Sequence, residues 1–173
     1  MRALLTALAL MIIAGAAQAR SPEALACAIK AAPPGLDVRL ADVVLAADPD
    51  KDKPATDELH ILVDRCADDQ FLKDKERTAY FDYTLGRMAR DALDGRLADV
   101  AISSGLIDRA LDIGPGNANN PADKVTAGDL RRVSTALSEA GTDPAKVSPV
   151  GWGLINAWIV ATAQMMTGQR AFD

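Results

Sequence analysis

The chain has 173 residues, 49% of them hydrophobic, and a formal net charge of −5. This length suits a single domain with its own hydrophobic core. The acidic charge and the small aromatic content (2 Trp, 2 Tyr and 3 Phe) argue against nucleic-acid binding. Such binding depends on Lys and Arg at phosphates and on aromatic side chains that stack on bases.

The N-terminus predicts a secretory signal peptide over residues 1–19. One arginine precedes an apolar run over residues 3–16, and small residues lead to an expected cleavage between Ala19 and Arg20. The apolar run is too short to be interpreted first as a membrane-spanning helix. We therefore expect an exported protein, periplasmic or extracellular, whose folded part comprises residues 20–173.

Cys27 and Cys66 are the two cysteines of the chain, and both follow the expected cleavage site. In an exported protein an even pair of cysteines favours a disulfide. The single histidine cannot complete a cysteine-based zinc site. An alternative is lipid attachment at Cys27, as in bacterial lipoproteins, but residues 20–23 separate this cysteine from the apolar run. We expect a Cys27–Cys66 bridge.

Hydrophobic residues recur at helical spacing along the rest of the chain, and no segment alternates as a strand does. The sequence therefore predicts one compact all-α domain of six or seven helices. In chain order these are a helix over 21–32, one over 36–47, one that begins near Thr56, one over 74–94 that either ends at Gly95 or continues to 102, a short one that ends near 113, one from Thr126 that Gly141 ends, and one from Ser148 that Gly168 ends.

The polar side of the fourth predicted helix carries two oppositely charged pairs at i,i+4 spacing. These are Arg87 with Asp91 and Arg90 with Asp94. Pairs of this kind on an exposed surface contribute about 0.3–0.5 kcal/mol each. We therefore expect a solvated face there.

The last predicted helix is unusual because no charged side chain lies between Lys146 and Arg170. Its apolar residues, Trp152 and Trp158 among them, cover more than one face, which is typical of a central bundle helix or of a membrane element. The central helix is favoured. The alternative is membrane association or partner binding through residues 150–166.

Asp48, Asp50 and Asp52 alternate as the first ligands of a calcium loop do. The rest of that pattern fails, since Lys53 stands where the loop needs Gly and Leu59 where it needs a bidentate Glu. The favoured interpretation is a solvated loop between helices, and a weak calcium site is the alternative.

The other candidate motifs are weaker. A Gly-rich segment over 114–117 lacks the preceding strand and following Lys of a phosphate loop. His60 has no nucleophile or orienting partner that the sequence identifies. Tyr80 and Tyr83 favour core positions, and with Trp152 and Trp158 they form the candidate partner surface.

These observations predict a non-enzymatic binding or accessory protein of the inhibitor, immunity or envelope-assembly type, without a cofactor. Its expected partner is a protein or another envelope component. One alternative is a hydrolase that uses Asp carboxylates, since the chain has 24 acidic residues, although none is singled out as catalytic. The other alternative is the membrane-associated protein described above.

Overall fold

The computed structural model describes residues 22–112 and 125–170. Within these residues all regular secondary structure is helical, which confirms the predicted all-α domain. Seven α-helices result when the two short N-terminal helices are taken as one interrupted helix. The elements are α1 (Pro22–Leu25), α2 (Cys27–Ala31), α3 (Leu36–Ala46), α4 (Lys53–Asp69), α5 (Asp74–Asp99), α6 (Ser104–Leu111), α7 (Ala127–Glu139), a 3-10 turn (Pro144–Lys146) and α8 (Pro149–Arg170).

Two sequence predictions lie outside the described residues. They are the signal peptide with its cleavage between Ala19 and Arg20, and the loop at 114–117. Both stay predictions.

The first predicted helix is interrupted because a tyrosine from α5 enters its hydrogen-bond ladder. In a regular helix the Ala28 N–H would donate to the Ala24 carbonyl. Here the Tyr80 hydroxyl accepts from the Ala28 N–H at 3.1 Å and lies 3.2 Å from the Ala24 carbonyl, to which it can donate. Burial raises the pKa of Tyr80, which keeps the hydroxyl protonated. An inserted side chain is a known cause of a helix break.

α4 begins at Lys53, three residues before the predicted start at Thr56. The Asp52 carboxylate caps the helix by accepting from the Ala55 N–H at 3.1 Å, and Pro54 occupies the first turn. Both are standard helix-start features. The Thr126–Asp129 capping box at the start of α7 is confirmed.

α5 and α8 approach each other so closely that their backbones touch at two glycines. A Cβ atom on Gly86 would lie 2.4 Å from the Met165 backbone nitrogen, and one on Gly168 would lie 2.4 Å from the Tyr83 backbone nitrogen. The prediction that Gly168 ends the last helix is wrong, because this glycine is a buried contact point and α8 continues to Arg170. Gly95 does not end α5 either, and the longer of the two predicted helices is observed.

α8 is the central helix that its composition predicts. One core cluster packs α8 against residues of α5, α6 and α7. A second cluster contains residues of each of the first five helices, α1 to α5. No helix in the two described ranges is long and apolar enough to cross a bilayer. The most deeply buried α8 side chains are Ile155, Ala157, Trp158, Ile159, Ala161 and Thr162.

A disulfide joins α2 to α4, as predicted. The Cys27 and Cys66 sulfur atoms are 2.02 Å apart, and the Cα atoms are 6.0 Å apart. The bridge closes a loop with a sequence separation of 39 residues. It fixes the short N-terminal helices to the last turns of α4.

The close helix contact at Gly86 predicts that replacing glycine by alanine has opposite effects on stability at two positions of α5. Gly86→Ala should lower the free energy of unfolding by about 1–3 kcal/mol, because the new methyl group meets backbone atoms that cannot move aside. Gly95→Ala is the matched control, since a Cβ there meets nothing within 4 Å. It should raise the free energy of unfolding by about 0.5–1 kcal/mol. Urea denaturation measures both, and equal effects would contradict the close packing.

Removing the disulfide with Cys27→Ala and Cys66→Ala should lower the free energy of unfolding by about 4 kcal/mol, because the unfolded chain gains conformational freedom. Urea denaturation again provides the measurement. Thiol labelling of the denatured, unreduced wild type is the control. Two reactive thiols in that experiment would show that the bridge is not formed.

Candidate functional site

Two of the three carboxylates of the Asp48–Asp52 loop accept hydrogen bonds from the protein itself. The Asp48 carboxylate accepts from the Asp50 backbone N–H at 3.0 Å, and Arg39 donates two hydrogen bonds of 2.8 Å to the Asp52 carboxylate. The hydrogen bond from Arg39 is the largest influence on the pKa of Asp52, which is lowered. In the described part of the chain, no group of three or more His, Cys, Asp or Glu residues could hold a metal ion. The loop connects α3 to α4, the interpretation favoured from the sequence.

A half-buried polar cluster lies where α5, α6 and α8 meet. Arg90 donates to the Asp108 carboxylate at 3.0 Å and to the Thr162 hydroxyl at 3.1 Å, and its guanidinium lies 4.7 Å from the Trp158 ring centroid. The Trp158 indole N–H donates to Asp94. The predicted surface pair of Arg90 with Asp94 is therefore wrong, because both side chains are directed to Trp158. The predicted Arg87–Asp91 pair is observed at 2.9 Å.

This cluster joins three helices and contains two carboxylates, Asp94 and Asp108, so it bears on the hydrolase alternative. Burial is the largest influence on Asp108 and raises its pKa, the neighbouring Asp94 acts in the same direction, and Arg90 opposes them. Both carboxylates nevertheless accept hydrogen bonds from the cluster itself. The arrangement therefore supports the packing of α6 against α5 and α8, and it resembles a structural link more than an acid–base pair.

The single histidine lies on the surface of α4. His60 stacks on Phe81 of α5, with ring centroids 4.0 Å apart and an angle of 11° between the planes. The stack holds the outer edges of two helices together. It presents an aromatic surface and includes no nucleophile.

The predicted partner surface is wrong for two of its four residues. Tyr80 and Trp158 are fully buried, because the Tyr80 hydroxyl is used inside the N-terminal helices and Arg90 covers the Trp158 ring. Tyr83 and Trp152 are half-buried and pack against the core cluster around α8. These four residues do not form a shared exposed patch.

The exposed aromatic residue that the structure does present is Phe71, at the turn between α4 and α5. It is 89% exposed, the largest value among the exposed large hydrophobic residues of the described chain. Its φ of 55° lies in the left-handed region, where glycine is the usual residue. The Phe71 N–H donates to the Asp68 carbonyl and the Leu72 N–H to the Ala67 carbonyl, which is the Schellman pattern of helix termination.

Left-handed residues other than glycine follow three further helices, at Ala47, Ala101 and Asp112. The backbone conformation by itself therefore does not distinguish Phe71. The distinguishing feature is the combination of this conformation with a large apolar side chain that stands in solvent. Leu72, the next residue, is 4% exposed and supplies the apolar contact that the core needs at this turn.

The turn that carries Phe71 is held on both sides. Arg77 donates to the Leu72 carbonyl at 3.0 Å and to the Asp68 carboxylate, and Gln70 donates to the Ala24 carbonyl at 3.0 Å. The disulfide at Cys66 pins α4 just before the turn. The backbone that carries Phe71 is thus pre-organised, a feature that lowers the entropy lost on binding. We call residues 68–73 the Phe71 turn.

No protein-family model matches the chain, and no curated protein or solved structure matches it. Sequence reasoning missed Phe71 because the adjacent Phe71 and Leu72 lie between polar residues. A single sequence does not show which of two adjacent apolar residues at a helix end is buried.

The raised pKa of Asp108 predicts a pH-dependent difference between the wild type and Asp108→Asn. The folded state holds this proton at a higher pH than the unfolded chain, whose carboxyl titrates near 3.9. The free energy of unfolding of the wild type should therefore rise relative to that of Asp108→Asn as the pH falls from about 7 towards 4. Urea denaturation at several pH values measures this difference. Parallel curves for the two proteins would contradict the prediction.

Proposed function

We propose that this protein is an exported, non-enzymatic binding protein, and that Phe71 enters an apolar pocket of a protein partner in the cell envelope or outside the cell. The exposure of Phe71 on a pre-organised turn carries the proposal. Aromatic side chains that become fully buried dominate the energetics of many interfaces. A phenyl ring that is almost wholly in water gains most from such burial.

Export is supported by two observations of different kinds. The sequence predicts a signal peptide over residues 1–19, and a disulfide between Cys27 and Cys66 is the form that an oxidising compartment maintains. The stabilised N-terminal helices and the rigid end of α4 suit a protein that works outside the cytosol.

A protein pocket suits Phe71 better than a lipid surface does. Among residues 68–74 three acids, Asp68, Asp69 and Asp74, outnumber one basic residue, Lys73. Anionic headgroups repel carboxylates, so an aromatic residue in this setting is poorly placed to insert into such a membrane. A pocket in a protein can accept the ring and pair with the charged residues around it.

The proposal predicts that partner capture depends on Phe71 and not on the fold. Tagged wild-type protein should retain a stoichiometric partner from native envelope extract, and Phe71→Ala and Phe71→Gly should not. Ala47→Gly is the matched control, because it introduces glycine at another left-handed position without removing an aromatic ring. It should capture the partner as well as the wild type does.

Thermal unfolding distinguishes a lost contact from a lost fold. Phe71→Gly and Ala47→Gly should unfold no more easily than the wild type, since glycine relieves a left-handed backbone that costs roughly 1 kcal/mol with another residue. Equal capture by the wild type and Phe71→Ala would refute the proposal. So would repeated recovery of the wild-type protein alone.

A further inference from the structure

An acidic and aromatic surface runs along the outer side of the α4–α5 contact. Arg77 on α5 lies against Asp68 and, at 3.9 Å, Asp64 of α4. One turn further along both helices, Phe81 stacks on His60. Because each contact is one helical turn from the next, these residues follow one line, which we call the α4–α5 seam.

The seam ends at the Phe71 turn. His60 precedes Phe71 by eleven positions, and at 1.5 Å per helical residue the aromatic platform lies about 16 Å from the turn along α4. Two aromatic contact points therefore mark the ends of the seam, and acids lie between them. This distance is close to three turns of a helix or five residues of a strand.

The middle of the seam has an excess of exposed negative charge. The Asp64 and Asp68 side chains are 63% and 70% exposed, whereas the Arg77 side chain between them is 29% exposed. Hydrogen bonds to the Leu72 carbonyl and to Asp68 hold the guanidinium in place. Two carboxylates against one guanidinium leave one net negative charge, and that charge lies on the more exposed groups.

We propose that the α4–α5 seam receives a basic segment of the partner protein. An apolar side chain of that segment lies on the His60–Phe81 platform, and a Lys or Arg side chain lies at Asp64 and Asp68. The partner's pocket for Phe71 lies at the end of the seam formed by the Phe71 turn. This inference rests on the proposed function, since it specifies the chemistry of the partner that Phe71 contacts.

A displayed library of random 16-residue peptides tests the inference with the full-length mature protein as the target. The selected peptides should be enriched in Lys and Arg. One selected peptide is then titrated by fluorescence anisotropy against the wild type and the variants. Affinity should fall about fivefold to tenfold in the double variant Asp64→Asn, Asp68→Asn, and it should fall with added salt. Phe71→Ala should weaken binding at least as much.

Asp99→Asn is the matched control, because it removes the same charge from the far end of α5 and should leave the affinity unchanged. Asp64→Asn alone keeps the closer Arg77–Asp68 contact, so it tests the seam even if the double variant is less stable. Selection of neutral or acidic peptides, or equal affinity of the wild type and Asp64→Asn, would overturn the inference. The proposed function is decided separately by whether envelope capture depends on Phe71.

Discussion

The backbone contact between α5 and α8 is the constraint on which the rest of the fold depends. Gly86 and Gly168 allow two long helices to touch without intervening side chains. Gly86 lies against Met165 and Gly168 against Tyr83, so the two contact points are three residues apart on each helix. Because the axes are so close, the side chains beside the contact must point outwards to either flank. α5 contributes to both core clusters, whereas α8 contributes to one of them.

The position of α5 also explains why the Phe71 turn is rigid. Tyr80 extends from α5 into the N-terminal helices, and Arg77 extends from the same helix to Asp68 and the Leu72 carbonyl. The disulfide then fixes α2 to α4, so the N-terminal helices, α4 and α5 support one another around the turn. The contacts of α5 and the disulfide therefore hold the Phe71 turn, which is the candidate binding site, in place.

Local signals in the sequence predicted the features that depend on neighbouring residues. The helix at α3, the Thr126–Asp129 capping box and the Arg87–Asp91 pair are confirmed because propensity and spacing decide them. The bridge between Cys27 and Cys66 was predictable for a different reason, since only one pairing exists. None of these four predictions requires knowledge of how distant segments pack together.

Apart from the early start of α4, which its local cap at Asp52 explains, the failures involve contacts between segments far apart in the chain. Arg90 leaves Asp94 because Trp158, 68 residues later, offers it an aromatic face, and Gly168 fails as a helix end because Tyr83 packs against it. The exposure of Phe71 was also missed because it depends on long-range contacts, here those of its neighbour Leu72. The long-range contacts of its neighbour Leu72 satisfy the core, so packing does not account for an aromatic residue at position 71, and glycine would suit the backbone better. This mismatch between residue and backbone is the reason that we propose a contact of Phe71 outside the fold.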